Sequence, residues 1–443
     1  MKNTTQKSVD SGFGFWVLVW GLGIIGQLCW NVENQWFNTF VYAKIAKDPT
    51  IISWMVAISS IATTISTFIF GTLSDRSGKR KPFVAVGYIL WGIFTILFGM
   101  TQYLVGGKGG AIILAATAVV VADAVMSFFG SMGNDAAYNA WTNDLMDDHN
   151  RGGIGAALAT QPVIGTILGT ILGGFLIGSD DNYMRLFFVM GGAVILLGVL
   201  TLFFMKESLD LKPNRNGSFM HQLMSAFDLN EFKKMKELIW VFITLMVYFV
   251  SFDVYFPHLG NYFIYYLGFS ADTFGLVEGV ALLIGMLIVI PASKLVKDNK
   301  YPLGTALSVI FTCVGVLIFG FTCTPDRVDP NSLFNMNIII GMLFVGFGYV
   351  MFMQVLAVWM KGLFPADNKG QFEGFRIVFF VLLPWLISPL FSNPIIKATG
   401  MVADAGGEIS YLPTNKLFLI SAILVVLTFV PLVFAAKHNK EKA

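Results

Sequence analysis

Apolar residues in this chain do not alternate with polar ones. They run in long blocks separated by short polar turns. Twelve blocks reach the roughly twenty mostly apolar residues that a membrane-spanning helix needs. Their limits are 13–43, 50–74, 82–104, 111–140, 153–178 and 183–205, then 238–267, 272–296, 301–322, 334–361, 374–398 and 415–436. Several exceed twenty residues, which implies tilt or extension into the interface. They lack period-two alternation and far exceed a barrel strand, so an outer-membrane barrel is excluded. The pattern predicts an all-α polytopic membrane protein with twelve transmembrane helices. The first apolar block is too long for a signal peptide and no small-residue cleavage site follows it, so it is expected to be a retained span.

The one long polar interruption, 206–237, divides the chain into a six-helix bundle at 1–205 and another at 238–443. Within the linker, Phe219 to Lys236 has the makings of a short amphipathic helix at the membrane surface. The halves echo each other weakly. Trp141, Leu145, Asp148 and Gly152 are answered by Trp359, Leu363, Asp367 and Gly370, with only the aspartate slipping by one. Pro82 and Pro302 open the third and ninth spans. Such internal symmetry is common in transporters.

Composition and charge sharpen this picture. Hydrophobic residues make up 56% of the 443 and charged residues only 13%, against roughly 25% charged in a soluble domain. An even span count puts both termini on one side. With that side inside, 22 of the 29 Lys and Arg fall on inner segments; only Lys44, Lys47, Lys108, Arg185, Arg327, Lys397 and Lys416 fall outside. The bias predicts cytoplasmic termini and a multi-pass protein of the inner (cytoplasmic) membrane. Cys29, Cys313 and Cys323 make no disulfide framework. No P-loop, no Cys/His metal spacing and no ribbon of basic residues is present, so ATP-driven transport, a metal centre and nucleic-acid binding are not expected. His149, His221 and His438 lie in cytoplasmic segments, which leaves no Ser-His-Asp arrangement and no enzyme.

Ionisable side chains inside a bilayer are costly unless they face a cavity or a partner. Glu33, Asp123, Asp253 and Glu278 therefore stand out. Glu33 belongs to the polar run Trp30-Asn31-Val32-Glu33-Asn34-Gln35-Trp36-Phe37-Asn38 of the first span. Asn31, Gln35 and Asn38 share a side at i, i+4 and i+7, and Asn34 pairs with Asn38. Such a face wants hydroxyls to bond, and Trp30 and Trp36 offer rings for the C–H face of a sugar. Helix–helix polar contacts are the alternative use of the same amides. Asp123 has no cation near it in sequence, which makes it a proton-carrier candidate; the other reading is a fixed pair, with Arg376 as a possible partner. Asp135 follows Gly133-Asn134 in the fourth span, with Tyr138 one turn on, and reads as part gate and part site. In the seventh span Asp253, Tyr255, His258 and Asn261 form a second polar cluster around Pro257, where a helix break would free carbonyl groups. Gln354 and Trp359 are candidate lining residues in the tenth.

The sharpest motif is the turn between the second and third spans, Gly71-Thr72-Leu73-Ser74-Asp75-Arg76-Ser77-Gly78-Lys79-Arg80-Lys81-Pro82. It places four cations in six positions. It resembles the signature loop of the major facilitator superfamily, whose members are secondary transporters built from two pseudo-symmetric six-helix halves around a central substrate site. Gly71, Asp75, Arg76, Gly78, Lys79 and Arg80, with Arg151 on the next inner turn, are then gating residues that latch the halves in one conformation. Together with the polar first helix, Gly133-Asn134-Asp135, Asn143 and Arg151, the first half resembles the glycoside–pentoside–hexuronide:cation symporter branch, which includes the melibiose-, sucrose- and maltose-type permeases. The second span carries Ser59, Ser60, Thr63, Thr64, Ser66 and Thr67 where melibiose-type members carry acidic cation ligands. That departure favours protons over sodium.

The resemblance implies a functional monomer that imports a sugar or glycoside, of di- or oligosaccharide size, with protons by alternating access. Glu33, Asp123 and Asp135 are the cation-coupling candidates. Trp30, Asn31, Asn34, Gln35, Asn38, Tyr138, Asp253, Tyr255, His258, Asn261, Gln354 and Trp359 are the substrate candidates. A proton-coupled exporter of amphipathic compounds and an importer of a non-sugar nutrient such as a nucleoside stay open as alternatives.

Overall fold

A backbone inside hydrocarbon must satisfy its own hydrogen bonds, so each apolar block closes into a helix. The computed structural model describes residues 12–105, 110–146, 150–208, 211–214, 217–225, 235–364, 374–403 and 409–440. Among these, twelve helices are long and apolar enough to cross a membrane. They are Phe13–Ile45, Pro49–Ser77, Lys81–Leu104, Ala111–Asp144, Gly153–Ile177, Tyr183–Phe204, Lys236–Tyr266, Ala271–Lys297, Tyr301–Thr322, Met336–Gly362, Gly374–Thr399 and Lys416–Asn439. Every limit lies within a few residues of the one expected from hydropathy. Of the expected amphipathic linker helix, Phe219–Ser225 is helical; residues 226–234 lie outside the described residues, as do Asp148, Asp367 and Gly370 of the internal repeat.

Helix ends follow their local chemistry. Asp48 caps the second span by accepting from the Thr50 amide, and Pro49 occupies its first turn, where a missing N–H is harmless. The same span stops at Gly78, whose φ of 63° is left-handed; Gly78 N–H donates to Asp75 O and Lys79 N–H to Ser74 O. This is the glycine-terminated end that a side chain would strain. Several spans also loosen locally. The first has π-helical turns at Glu33–Phe37 and Val41–Ile45, the fourth at Ser131–Tyr138, the seventh at Tyr262–Tyr266 and the eleventh at Val378–Leu382. Such wide turns gather at functional sites, and three of these five lie in or beside the polar runs picked out above. Pro257 does not break the seventh span. The chain tightens there into a 3-10 turn, Phe256–His258, and continues.

Among the described residues, the halves meet along several helix pairs. The first span crosses the seventh at Gly260, the second runs beside the eleventh where Gly374 meets Phe68, and the fifth packs on the eighth. The fifth–eighth seam is the tightest. A Cβ on Gly275 would lie 2.6 Å from the Thr170 carbonyl oxygen, and one on Gly174 would lie 2.5 Å from that of Ala271. Glycine is required there because backbone, not a movable side chain, stands in the way. Gly374 meets Phe68 toward the inner ends, whereas the fifth–eighth contacts lie at the ends that the charge distribution assigns to the outer surface. A two-stranded hairpin, β1 (Met401–Ala403) paired antiparallel with β2 (Ile409–Tyr411), sits above them. Its Tyr411 amide donates to Lys47 O at 2.8 Å, and Lys397 pairs with Asp48 at 3.6 Å.

Candidate functional site

Glu33 and Asp123 are ninety residues apart, yet the fold brings them together. Ser127 Oγ lies 2.6 Å from Glu33 Oε1, to which it donates, and 2.8 Å from the Asp123 carbonyl. The Ser59 hydroxyl of the second span reaches the Asp123 carboxyl group. Glu33 is 7% exposed and Asp123 1%. Among the described residues, Glu33 Oε2 and Asp123 Oδ1 have no hydrogen-bond partner. Ser127 holds the Glu33 carboxyl group, and the charge of Asp123 acts on Glu33 across a dry interior, so a proton is needed to relieve the pair. The arrangement is chemically fit to hold and release a proton.

One turn along, the amide face of the first span lies between the halves. Asn31 Oδ1 and Gln35 Oε1 both accept from Thr170 Oγ1 of the fifth span, at 3.2 and 3.1 Å. Gln35 Nε2 donates to Glu278 Oε2 of the eighth span. Asn261 of the seventh donates to the Asn38 carbonyl at 3.1 Å, while Asn38 Nδ2 donates back to Asn34 O at 2.7 Å. The i, i+4, i+7 face is therefore real and touches spans five, seven and eight. Asn34 is half-buried beside it. Trp30 points the other way, toward spans three and four; its Nε1 donates to Asn134 Oδ1 at 3.3 Å and its ring lies 4.8 Å from Trp91. The Trp36 ring, expected to be open to a sugar, is instead sealed in the fifth–eighth seam. Its Nε1 donates to Gly169 O at 3.1 Å and it is wholly buried, because the glycine faces of the seam leave room for an indole.

In the seventh span Asp253, Tyr255, His258 and Asn261 are all buried. Among the described residues, Asp253 Oδ2, the Tyr255 hydroxyl, His258 Nδ1 and Asn261 Oδ1 have no hydrogen-bond partner, and neither does Asn38 Oδ1. Buried polar groups are rarely left so. They concentrate along the seventh span where it crosses the first.

Other candidates sit apart from this centre. Tyr138 donates to the Val19 carbonyl at 2.7 Å within the first bundle. Gln354 donates to Ser293 Oγ at 2.7 Å, and Trp359 Nε1 to Glu237 Oε1 at 2.9 Å; both bonds lie within the second bundle, toward its inner ends. The charge of Arg376 acts on Asp135, and its guanidinium packs 5.5 Å from the Phe380 ring. The cation considered for Asp123 thus serves the other acid of that helix, linking the fourth span of one half to the eleventh of the other.

The charged turn is organised by Arg80, which is 5% exposed. It pairs with Asp75 at 2.6 Å and with Asp144 at 2.8 Å, and donates to Ser74 Oγ at 2.6 Å. Burial opposes its charge, but Asp144 and Asp75 outweigh that and hold the guanidinium above its ordinary range. Glu207 accepts from the Arg80 and Lys81 amides, capping the third span. Arg76 donates to Gly217 O and Gln222 Oε1, and a Cβ on Gly78 would meet Pro213 of the linker. Arg76, Gly78, the Arg80 amide and the Asp75 carbonyl, which accepts from the Asn214 amide, join the first half to the linker, whereas the Arg80 side chain ties Asp75, Ser74 and Asp144 within the first half. Lys79 is exposed, and Gly71 has no neighbour within 4 Å of where a Cβ would stand. The Arg151 side chain lies outside what is described. Replacing Arg80 with Ala strands Asp144 and Ser74, and the expected cost is about 2–3 kcal/mol, just under the roughly 3–5 kcal/mol of a fully buried pair because Asp75 is half exposed. Thermal unfolding in detergent checks it; an unchanged melting temperature would mean that the turn is not held by this pair.

Thr170, Ser127 and Tyr349 also belong to this polar interior and were not singled out from sequence. Hydroxyls are common in membrane helices, so only their partners mark these.

The family model described as Major Facilitator Superfamily matches residues 11–389. A curated relative, Protein ZINC INDUCED FACILITATOR 1 of Arabidopsis thaliana, is 30% identical over 173 residues, covering 39% of this chain and 32% of that protein. The chain spans about a third of the length of the curated relatives it matches. The crystal structure of the nucleoside transporter NupG superposes with a TM-score of 0.66 at 14% identity, covering 94% of this chain and 98% of that one. The crystal structure of a D-xylose-proton symporter superposes with a TM-score of 0.68 at 16% identity, covering 94% and 97%.

Proposed function

We propose that this chain, which belongs to the major facilitator superfamily, imports a sugar or glycoside together with protons. It is a multi-pass membrane transporter, not an enzyme, and its cargo is a small molecule. The observation that carries the finer reading is the Glu33–Ser127–Asp123 arrangement, one helical turn from the amide face where the first span meets the fifth, seventh and eighth. A proton taken up by that pair removes the charge that otherwise resists passage through the bilayer. The amides and unpartnered polar atoms at the crossing of the first and seventh spans then receive the hydroxyls of the sugar. Rocking of the halves opens the fifth–eighth seam on one side and closes the opposite side. The D-xylose-proton symporter supports the sugar and the proton, and NupG keeps a nucleoside as the second reading. The second span carries no acid before Asp75, where the melibiose-type members it resembles carry acidic cation ligands, and that favours protons over sodium. Residence in the cytoplasmic membrane and action as a monomer complete the proposal.

Equilibrium binding to the purified protein tests the substrate class. A panel of mono- and disaccharides is expected to bind saturably, and nucleosides to compete weakly or not at all. Saturable nucleoside binding with no sugar binding would replace the sugar reading by the second one.

A further inference from the structure

We propose that Asp253 makes this site selective for a cargo carrying a protonated amine, so that an amino sugar or amino glycoside is preferred to its neutral counterpart. The inference rests on the sugar reading above and deepens it. Asp253 is 3% exposed, and it has no hydrogen bond or ion pair among the described residues. Tyr255 and Tyr349 lie close enough for the carboxylate charge to act on them. Phe252 lies 5.3 Å from Tyr255 and 5.0 Å from Tyr349, ring centre to ring centre, and Phe256 lies 4.8 Å from Phe252. Phe252 and Phe256 are only half-buried.

A carboxylate set among aromatic faces is the chemistry that recognises an ammonium: the acid supplies the opposite charge and the ring faces supply a negative quadrupole. With a neutral sugar the buried Asp253 stays protonated, whereas an ammonium lets it ionise and pair, so the amine gains an interaction that the neutral sugar lacks. The wider charge balance agrees. Glu33, Asp123, Asp135, Asp253 and Glu278 lie in the spans, and each of the others has a described neighbour that engages it. Ser127 holds Glu33, Ser59 reaches Asp123, Arg376 acts on Asp135, and Gln35 donates to Glu278. Asp253 is the acid left over, and it stands two helical turns from the Asn261 that binds the first span. An amine held there leaves the hydroxyls of the same molecule to the amides above it.

The test is equilibrium binding to the full chain in detergent, with glucose against glucosamine and galactose against galactosamine, and with tetraethylammonium as an amine-like cation without hydroxyls. The amino member of each pair is expected to bind about tenfold tighter or more. Asp253→Asn is expected to erase the preference for the amino member of each pair, and Asp253→Glu to keep part of it. Equal binding of both members, or a preference that survives Asp253→Asn, would overturn the proposal. If no sugar of either kind binds but tetraethylammonium binds in an Asp253-dependent manner, the cation preference stands and the sugar reading falls. If nothing binds, both fall. Should Asp253→Asn fail to fold, Tyr349→Leu removes one ring and is expected to reduce the preference; an unchanged preference would count against the cage.

Discussion

Glu33→Gln and Asp123→Asn each abolish proton-driven accumulation of the cargo while leaving its exchange across the membrane intact. A proton entering down 100 mV contributes about 2.3 kcal/mol, which sustains roughly a fiftyfold concentration ratio. Without a group that can carry the charge, the ratio falls to about one. The two variants should behave alike because the carboxyl groups lie close enough for the charge of Asp123 to act on Glu33. Ser127→Ala should be milder, since it removes an orienting hydroxyl and not a charge. Accumulation and counterflow in reconstituted vesicles separate the two functions. A Glu33→Gln protein that still concentrates its cargo would remove this pair from the coupling step.

The second large effect lies at the seam between the halves. Gly275→Val places a branched side chain where a single Cβ already comes within 2.6 Å of the Thr170 carbonyl oxygen. No rotamer relieves a clash with backbone, so the fifth and eighth spans cannot close on each other. Overpacking of this kind costs about 1–3 kcal/mol. Every 1.4 kcal/mol shifts a two-state population about tenfold, and the seam-closed state is the one destabilised. Net transport should fall by an order of magnitude or more while cargo still binds from the outer side. A cysteine placed at Asn34 should react faster with an impermeant thiol reagent in this background. Wild-type transport and unchanged labelling would show that the seam is not a gate.

The fold was legible in the sequence because hydropathy blocks of membrane length leave the backbone one solution, and because Gly78, Pro49 and Asp48 mark helix ends by local rules. The site was legible only in part. The spacing of Asn31, Gln35 and Asn38 put them on one face, and that face is where the fifth, seventh and eighth spans arrive. Spacing within one helix says nothing of what stands opposite. So the partnership of Asp123 with Glu33, and of Arg376 with Asp135, had to wait for the tertiary arrangement. Trp36 misled for the same reason: an indole beside amides looks available until a glycine-lined neighbour closes over it. Pro257 misled because a helix held on all sides can absorb a proline as a tight turn instead of a break. The charged turn announced itself through composition, yet the linker residues that dock on it, Pro213, Gly217 and Gln222, carry no signal of their own.

The central claim is that cargo and proton move together. The most direct measurement places the purified chain in vesicles with a weakly buffered exterior and records external pH as sugars and amino sugars are added, with and without sodium. The account predicts alkalinisation outside that follows cargo entry, saturates with cargo, ignores sodium and vanishes in Glu33→Gln. Cargo entry with no pH change, or entry that requires sodium, would contradict it.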